Sequence, residues 1–242
     1  LNFLRIKMAL YATLLTNWYG FRLKGTRSAA QKKALRTAYA QKLLDALNIR
    51  VAVKNPERLP RDGKYLLVSN HRSIIDPTII EIALKETALF GLWVSKKELY
   101  NSFFFGLFTR NAGSILLDRE ATQMSGFFKD VKAGVGEGHS VFLFPEGTRN
   151  KEGTPLLAFK EGARVIAVKN RLPILPVYIR TNADRALDDA LSDGATPIEV
   201  LFEVGEVIDY RERSVELETA YRKMFGLDEQ EALSARDMQT CA

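Results

Sequence analysis

The chain has 242 residues, 46% of them hydrophobic and 26% charged, which excludes a disordered or fibrous protein and leaves room for one large α/β domain. A single cysteine, Cys241, excludes an internal disulfide, a CxxC redox pair and a multi-cysteine zinc centre. Two histidines, His71 and His139, are too few for a multi-histidine metal site. The net charge of +6 is uneven: residues 1–60 hold twelve Lys or Arg against Asp45 and Glu57, a balance of +10 that leaves −4 for the remainder.

Residues 1–25 are apolar with Arg5, Lys7, Arg22 and Lys24 interspersed. The uninterrupted run from Met8 to Tyr19 is too short for a clean membrane span and carries Thr and Asn. No small-residue cleavage site follows it, as a signal peptide would require. Trp18, Tyr19 and Phe21 beside basic residues fit a helix lying in a lipid interface, the alternative being a core helix of a soluble domain. A second, basic helix is expected from Ser28 to Leu47, with Ser28 as N-cap. Together the two helices form a hairpin over residues 1–48 whose charge suits an anionic membrane surface. Nucleic acid is the competing partner, but the segment has neither zinc-finger spacing nor an RNP-like aromatic motif.

From residue 49 the pattern changes. IRVAVK (49–54), YLLVSN (65–70), LFGLWV (89–94), SILL (114–117), SVFLF (140–144), ILPVYI (174–179) and IEVLFEV (198–204) read as strands. Helices are expected after Pro77 and over 121–133 and 160–169. This alternation predicts an α/β fold, a mostly parallel sheet covered by helices, over residues 49–242. The last 30 residues are polar and helical in pattern, with no function legible in them.

The chemistry concentrates in Asn70-His71-Arg72-Ser73-Ile74-Ile75-Asp76-Pro77, at the end of a buried strand, where open α/β sheets place their ligands. A hydroxyl at neutral pH needs a base to become a nucleophile, and imidazole supplies one. A carboxylate five residues on, across a tight turn, can hold the other ring nitrogen and fix the tautomer. Asp76 before Pro77 is equally an ordinary helix cap, and the spacing by itself does not choose. Three further segments narrow the reading: Gly113-Ser114-Ile115-Leu116-Leu117-Asp118-Arg119, Phe144-Pro145-Glu146-Gly147-Thr148-Arg149, and Leu172-Pro173-Ile174-Leu175-Pro176-Val177.

In this order the four segments resemble the motifs of the glycerolipid acyltransferases of the 1-acylglycerol-3-phosphate acyltransferase type. The resemblance covers about residues 50–180, and the hexapeptide at 144–149 is its most specific part. Leu117, where isoleucine is common, departs little; Pro145 favours the lysophosphatidate enzymes over the glycerol-3-phosphate ones. The resemblance implies a one-step transfer in which His71 takes the proton of the acceptor hydroxyl and Asp76 orients His71. Arg119 and Arg149 would bind the acceptor phosphate, for which guanidinium forks are suited, with Lys96 adding charge. Glu146 would organise that site through an arginine or the acceptor glycerol. Gly113 and Thr148 would stand among the substrate-binding residues, and the Gly147 N–H would face the oxyanion. Pro173, Ile174 and Leu175 would wall the acyl chain.

The implied partners are membrane phospholipid, lysophosphatidate and a thioester donor, acyl-CoA or acyl carrier protein, with no metal, no other cofactor and no nucleic acid. The implied location is monotopic on the cytoplasmic face of a membrane.

Bland alternatives exist for each residue: Asp118 with Arg119 as a surface pair, 146–149 as a plain turn, 172–177 as pure core, and Lys96 with Lys97 as surface coating. His139 reads as the opening of a strand. The run Phe103–Phe108 lines an acyl pocket, dips into lipid or forms a buried helix. A serine-hydrolase elbow is excluded because Gly138-His139-Ser140-Val141-Phe142 lacks its last glycine. No Walker loop is present, and Gly134, Gly136 and Gly138 follow a helix instead of a strand. The remaining rivals are an acyltransferase for another acceptor (glycerol 3-phosphate, another lysophospholipid or a lyso-ornithine lipid) and a non-catalytic lipid-binding membrane protein.

Overall fold

A computed structural model describes residues 3–118 and 124–229. Helices α1 (Phe3–Lys24) and α2 (Ala29–Ala46) pack together at the N-terminus. Thr16 and Tyr39 share a buried hydroxyl hydrogen bond of 3.0 Å, and the Tyr19 and Tyr39 rings meet 5.8 Å apart. Ser28 takes the N-cap position of α2, but its side chain caps no backbone N–H. Among the described residues, no helix is long and apolar enough to cross a membrane.

The remainder is a seven-stranded sheet of β1 (Ile49–Lys54), β2 (Leu66–Ser69), β3 (Gly91–Lys96), β4 (Ser114–Leu117), β5 (Ser140–Leu143), β6 (Ile174–Ile179) and β7 (Ile198–Val204). Their order is β1-β7-β6-β2-β5-β3-β4, and every pair is parallel except β6 with β7. Helix α3 (Asp76–Ala83) links β2 to β3; α4 (Lys97–Tyr100) and α5 (Gly106–Asn111) follow β3; α6 (Ser125–Gly136) precedes β5; and α7 (Gly162–Asn170) links β5 to β6. Helix α8 (Ala183–Ala190) precedes β7, and α9 (Leu217–Phe225) comes last.

Alternation along the strands sends successive side chains to opposite faces, and both faces are covered. Leu67, Phe142, Leu175 and Val177 pack beneath α2, α3 and α8, while Leu66, Val68, Val141, Leu143 and Ile174 pack beneath α6, α7 and α9. A strand buried on both sides has no polar positions to spare, which is why these segments read as unbroken apolar runs.

The chain order matters for the site. β2 leaves by α3 on one face and its neighbour β5 leaves by α7 on the other, so the sheet opens between their carboxyl ends. Such a switch point is where an open α/β sheet forms a crevice.

The apolar N-terminal segment splits by face. Met8, Thr16, Tyr19 and Leu23 of α1 are buried. Phe3, Ile6, Leu10, Leu14, Trp18 and Phe21, at three- and four-residue spacing, form an exposed apolar stripe. The run at 103–108 also divides: Phe103 and Phe104 are exposed, whereas Phe108 packs on Tyr39 with ring centroids 4.5 Å apart.

Candidate active site

His71 lies just past the carboxyl end of β2, in the turn that leads to α3. Its Nδ1 is 2.8 Å from Asp76 Oδ2, and the imidazole keeps 19% of its surface open. Asp76 does not act as a side-chain cap. It is the first residue of α3, 1% exposed, and its Oδ2 also accepts the backbone N–H groups of Arg72 at 2.7 Å and Ser73 at 2.8 Å. Three donors on one oxygen fix the carboxylate, and a carboxylate facing Nδ1 assigns the proton to Nδ1 and leaves Nε2 as the basic nitrogen.

The ring is also held from its face. Phe144 stacks on His71 at 3.9 Å and 10°, and Trp93 stacks on Phe144 at 5.3 Å and 27°. The Trp93 indole N–H donates to Glu81 Oε1 at 2.9 Å, and Glu81 is paired in the interior with Arg36 of α2. The Arg36 guanidinium also donates to the Gly91 carbonyl at 2.7 Å. Trp93, Glu81 and Arg36 were not anticipated as relevant to the site. A charge pattern at 36 and 81 carries no signal when its partners are 45 residues apart.

The 144–150 segment wraps the backbone of His71. Glu146 Oε1 accepts the His71 N–H at 2.6 Å, Glu146 Oε2 accepts the Leu157 N–H at 2.8 Å, and the Asn150 N–H donates to the His71 carbonyl at 2.6 Å. Glu146 is 2% exposed, and burial pushes its carboxyl up to about 7 against the opposing pull of those two N–H groups and of Arg72. Each of its oxygens accepts a backbone N–H, so it organises the site through the chain itself, with Arg72 near enough to favour its charge. Arg72 fastens the same turn by donating to the Pro155 carbonyl at 2.8 Å.

The other expected residues divide. Gly147 (φ +70°) makes a left-handed turn that glycine permits, but its N–H donates to the Phe144 carbonyl at 3.0 Å and is committed to that turn instead of an oxyanion. Thr148 and Arg149 are exposed. Lys96 is half-buried at the carboxyl end of β3, and Lys97 pairs with Asp118 at 2.8 Å. Arg119 lies outside the described residues.

Gly113 precedes β4 and is level with Leu66, so it lies at the amino end of the strands, about 10 Å along them from Ser69, where β2 ends, at 3.3 Å per residue. A side chain there would strike the Phe90 ring at 2.9 Å, so Gly113 serves close packing instead of substrate contact. The acyl-wall reading of 173–175 is likewise displaced. Ile174 and Leu175 are fully buried beneath opposite helical layers, Ile174 is level with Leu66, and the Pro173 carbonyl accepts the Leu66 N–H at the same amino end of the strands. Strand alternation between two covered faces leaves these side chains no open side. His139 comes just before β5, edge-on to Phe90 at 5.2 Å and away from this site. Among the described residues, no group of three or more His, Cys, Asp or Glu could hold a metal ion.

The histidine of the first motif thus lies at the switch point with its ring nitrogen held by the aspartate of the same motif. A family model described as Acyltransferase matches residues 50–180. The chain belongs to this acyltransferase family. The 1-acyl-sn-glycerol-3-phosphate acyltransferase of Helicobacter pylori is 36% identical over 118 residues, 48% of either chain. The protein of the same name from Bacillus subtilis is 30% identical over 139 residues, 57% of this chain and 67% of that one. The chain spans about half the length of most of the curated relatives it matches. The crystal structure of the 1-acyl-sn-glycerophosphate (LPA) acyltransferase PlsC from Thermotoga maritima superposes with a TM-score of 0.69, covering 95% of each chain at 23% identity, a likeness of fold.

Proposed function

We propose that this chain transfers a fatty acyl group from a thioester donor to the free hydroxyl of 1-acylglycerol 3-phosphate, forming phosphatidate. The observation that carries the reading is the His71–Asp76 pair at 2.8 Å with the ring held on Phe144, in a chain whose matched relatives are named for this reaction. His71 Nε2 takes the proton of the acceptor hydroxyl as its oxygen attacks the thioester carbonyl, and Asp76 stabilises the imidazolium that forms. The tetrahedral adduct collapses with cleavage of the carbon–sulfur bond, and the thiolate leaving group receives the proton back from His71. Each proton and electron pair is then accounted for without an acyl-enzyme.

The acceptor's phosphate would be met by Arg149, with Lys96 at the carboxyl end of β3 and Arg119, two residues past β4 in sequence, as further cations. Acyl-CoA and acyl carrier protein both supply the thioester. The lysophosphatidate acceptor and the phosphatidate product reside in a bilayer, and the stripe from Phe3 to Phe21 with Phe103 and Phe104 offers the apolar surface that would seat the site against it, on the leaflet facing the cytoplasm. The experiment is a panel of radiolabelled acceptors in mixed micelles, each with oleoyl-CoA and with oleoyl-acyl carrier protein. Labelled phosphatidate from lysophosphatidate supports the assignment. Product only from glycerol 3-phosphate, another lysophospholipid or a lyso-ornithine lipid moves the acceptor, and no product from any of them favours a lipid-binding protein.

A further inference from the structure

The last described helix, α9, lies outside residues 50–180, the segment that the family model covers. It reaches the site from beneath. β2 and β6 pair as strands up to Ser69 and Val177 and then diverge, because β2 turns away to present His71. At that fork the backbone ladder is continued by side chains. The Asn70 amide donates to the Ile179 carbonyl at 3.1 Å and accepts the Ile179 N–H at 2.8 Å. The Tyr221 hydroxyl of α9 enters the gap, accepts the Asn70 N–H at 3.1 Å and donates to the Val177 carbonyl at 2.5 Å.

Tyr221 is wholly buried, and burial pushes its phenol well above the usual range, so the hydroxyl stays a neutral donor. One turn earlier on α9, Glu218 Oε2 accepts the Phe159 N–H at 2.8 Å, and the Phe159 and Tyr221 rings meet at 5.1 Å. Phe159 is two residues past Leu157, which Glu146 grips, and next to Lys160, whose N–H donates to the Pro145 carbonyl at 2.9 Å. One helix thus fastens both backbone segments that hold His71: the strand end that bears it and the loop that braces Glu146.

We infer that Tyr221 and Glu218 of α9 are positioning residues for acyl transfer, setting the location of His71 through Asn70 and through the 157–160 segment. Nothing in the bare packing of α9 needs a hydroxyl there: Leu217 and Phe225 fill the same core layer with carbon alone. The hydroxyl answers a different demand, since a strand that bends away from its neighbour leaves a buried N–H and a buried carbonyl without partners. A misplacement of the base by less than an ångström is enough to slow proton transfer severely. The inference rests on His71 being the base of the proposed reaction, so its test is built on a signal that needs no turnover.

His71 and His139 are the two histidines of the chain, which makes imidazole carbon–proton spectra of histidine-labelled, tag-free protein fully assignable, with His139 as an internal control. Tyr221→Phe keeps the ring and removes the bridge. The expected result is a displaced His71 signal with an unmoved His139 signal, and a kcat for acyl transfer lowered about tenfold with KM for acceptor and donor unchanged within twofold. Phe225→Leu, which loosens the same helix without touching a hydrogen bond to the fork, should leave the His71 signal in place. If Tyr221→Phe does not fold, Glu218→Ala releases the 157–160 segment from α9 and is read by the same signal.

An unmoved His71 signal in Tyr221→Phe, or in Glu218→Ala if that variant must stand in for it, overturns the inference. So does an equal displacement in Phe225→Leu. A wild-type protein that transfers no acyl group to any acceptor sinks the proposed reaction, while the histidine spectra still decide whether α9 sets the position of His71.

Discussion

Glu146→Gln exposes the main tension in the site. The carboxyl of Glu146 is almost completely withdrawn from water, which opposes its charge, while two backbone N–H groups favour it. Burial wins, and the group is raised from 4.5 to about 7. In the folded protein it therefore keeps its proton over a range where the unfolded chain has already released its own. Below 4.5 both states are protonated and nothing is lost. As pH rises towards 7 the unfolded state gains, and the full penalty, about 3 kcal/mol for a shift of this size, is present above 7.

Glutamine remains neutral throughout, and its single carbonyl oxygen can accept only one of the two N–H groups, so the variant starts about 1–3 kcal/mol less stable at pH 5. The expected outcome is that the variant gains about 2.5 kcal/mol on the wild type between pH 5 and pH 8, enough to close the initial gap or reverse its sign. Urea denaturation in detergent micelles, followed by tryptophan fluorescence at four pH values, measures it. A variant that gains nothing on the wild type, or loses ground to it, as pH rises would refute the reasoning, because Glu146 would then be ionised in the folded state at every pH tested.

Asp76→Asn keeps the shape but no longer fixes the Nδ1 proton. It should lower kcat about 10³- to 10⁴-fold with little change in KM, read from initial rates of phosphatidate formation. Arg36→Met strands the Glu81 carboxylate in the interior, with an expected loss of about 3–5 kcal/mol; a midpoint within error of wild type would show the pair to be dispensable. Leu14→Ser combined with Phe21→Ser removes two side chains that are 72% and 70% exposed. Each contributes roughly 1.5–3 kcal/mol when fully buried, so vesicle partitioning in co-sedimentation should weaken at least about tenfold at any ionic strength. Unchanged partitioning would place the lipid contact elsewhere.

The seven strands were legible because each is a short apolar run bounded by turn residues, and β1, β4, β6 and β7 begin and end where the pattern does. Their order was not, since strands buried on both faces carry no mark of their neighbours; nor was the reversal of β7 against β6. Helix α8 went unseen because its buried positions, Ala183, Ala186 and Ala190, are too small to make a visible stripe, although Asn182 before them is a working cap at 3.2 and 3.1 Å.

His71 and Asp76 were readable from spacing, being five residues apart across one turn. The roles of Glu146, Gly113 and 173–175 were not, because motif membership does not say which end of a strand a residue occupies. Ile174 opens its strand and Gly113 comes just before its own, whereas His71 follows the end of its strand. The Trp93–Phe144 stack and the Arg36–Glu81 pair join residues distant in sequence, and only the fold brings them under the histidine.

The central claim is that His71 is the base for acyl transfer to lysophosphatidate. Phosphatidate formation from oleoyl-CoA and from oleoyl-acyl carrier protein, measured for wild type beside His71→Ala at matched fold stability, tests it directly. The account predicts labelled phosphatidate from the wild type with at least one donor and a loss of at least about 10³-fold in the variant. Full activity in His71→Ala would contradict it.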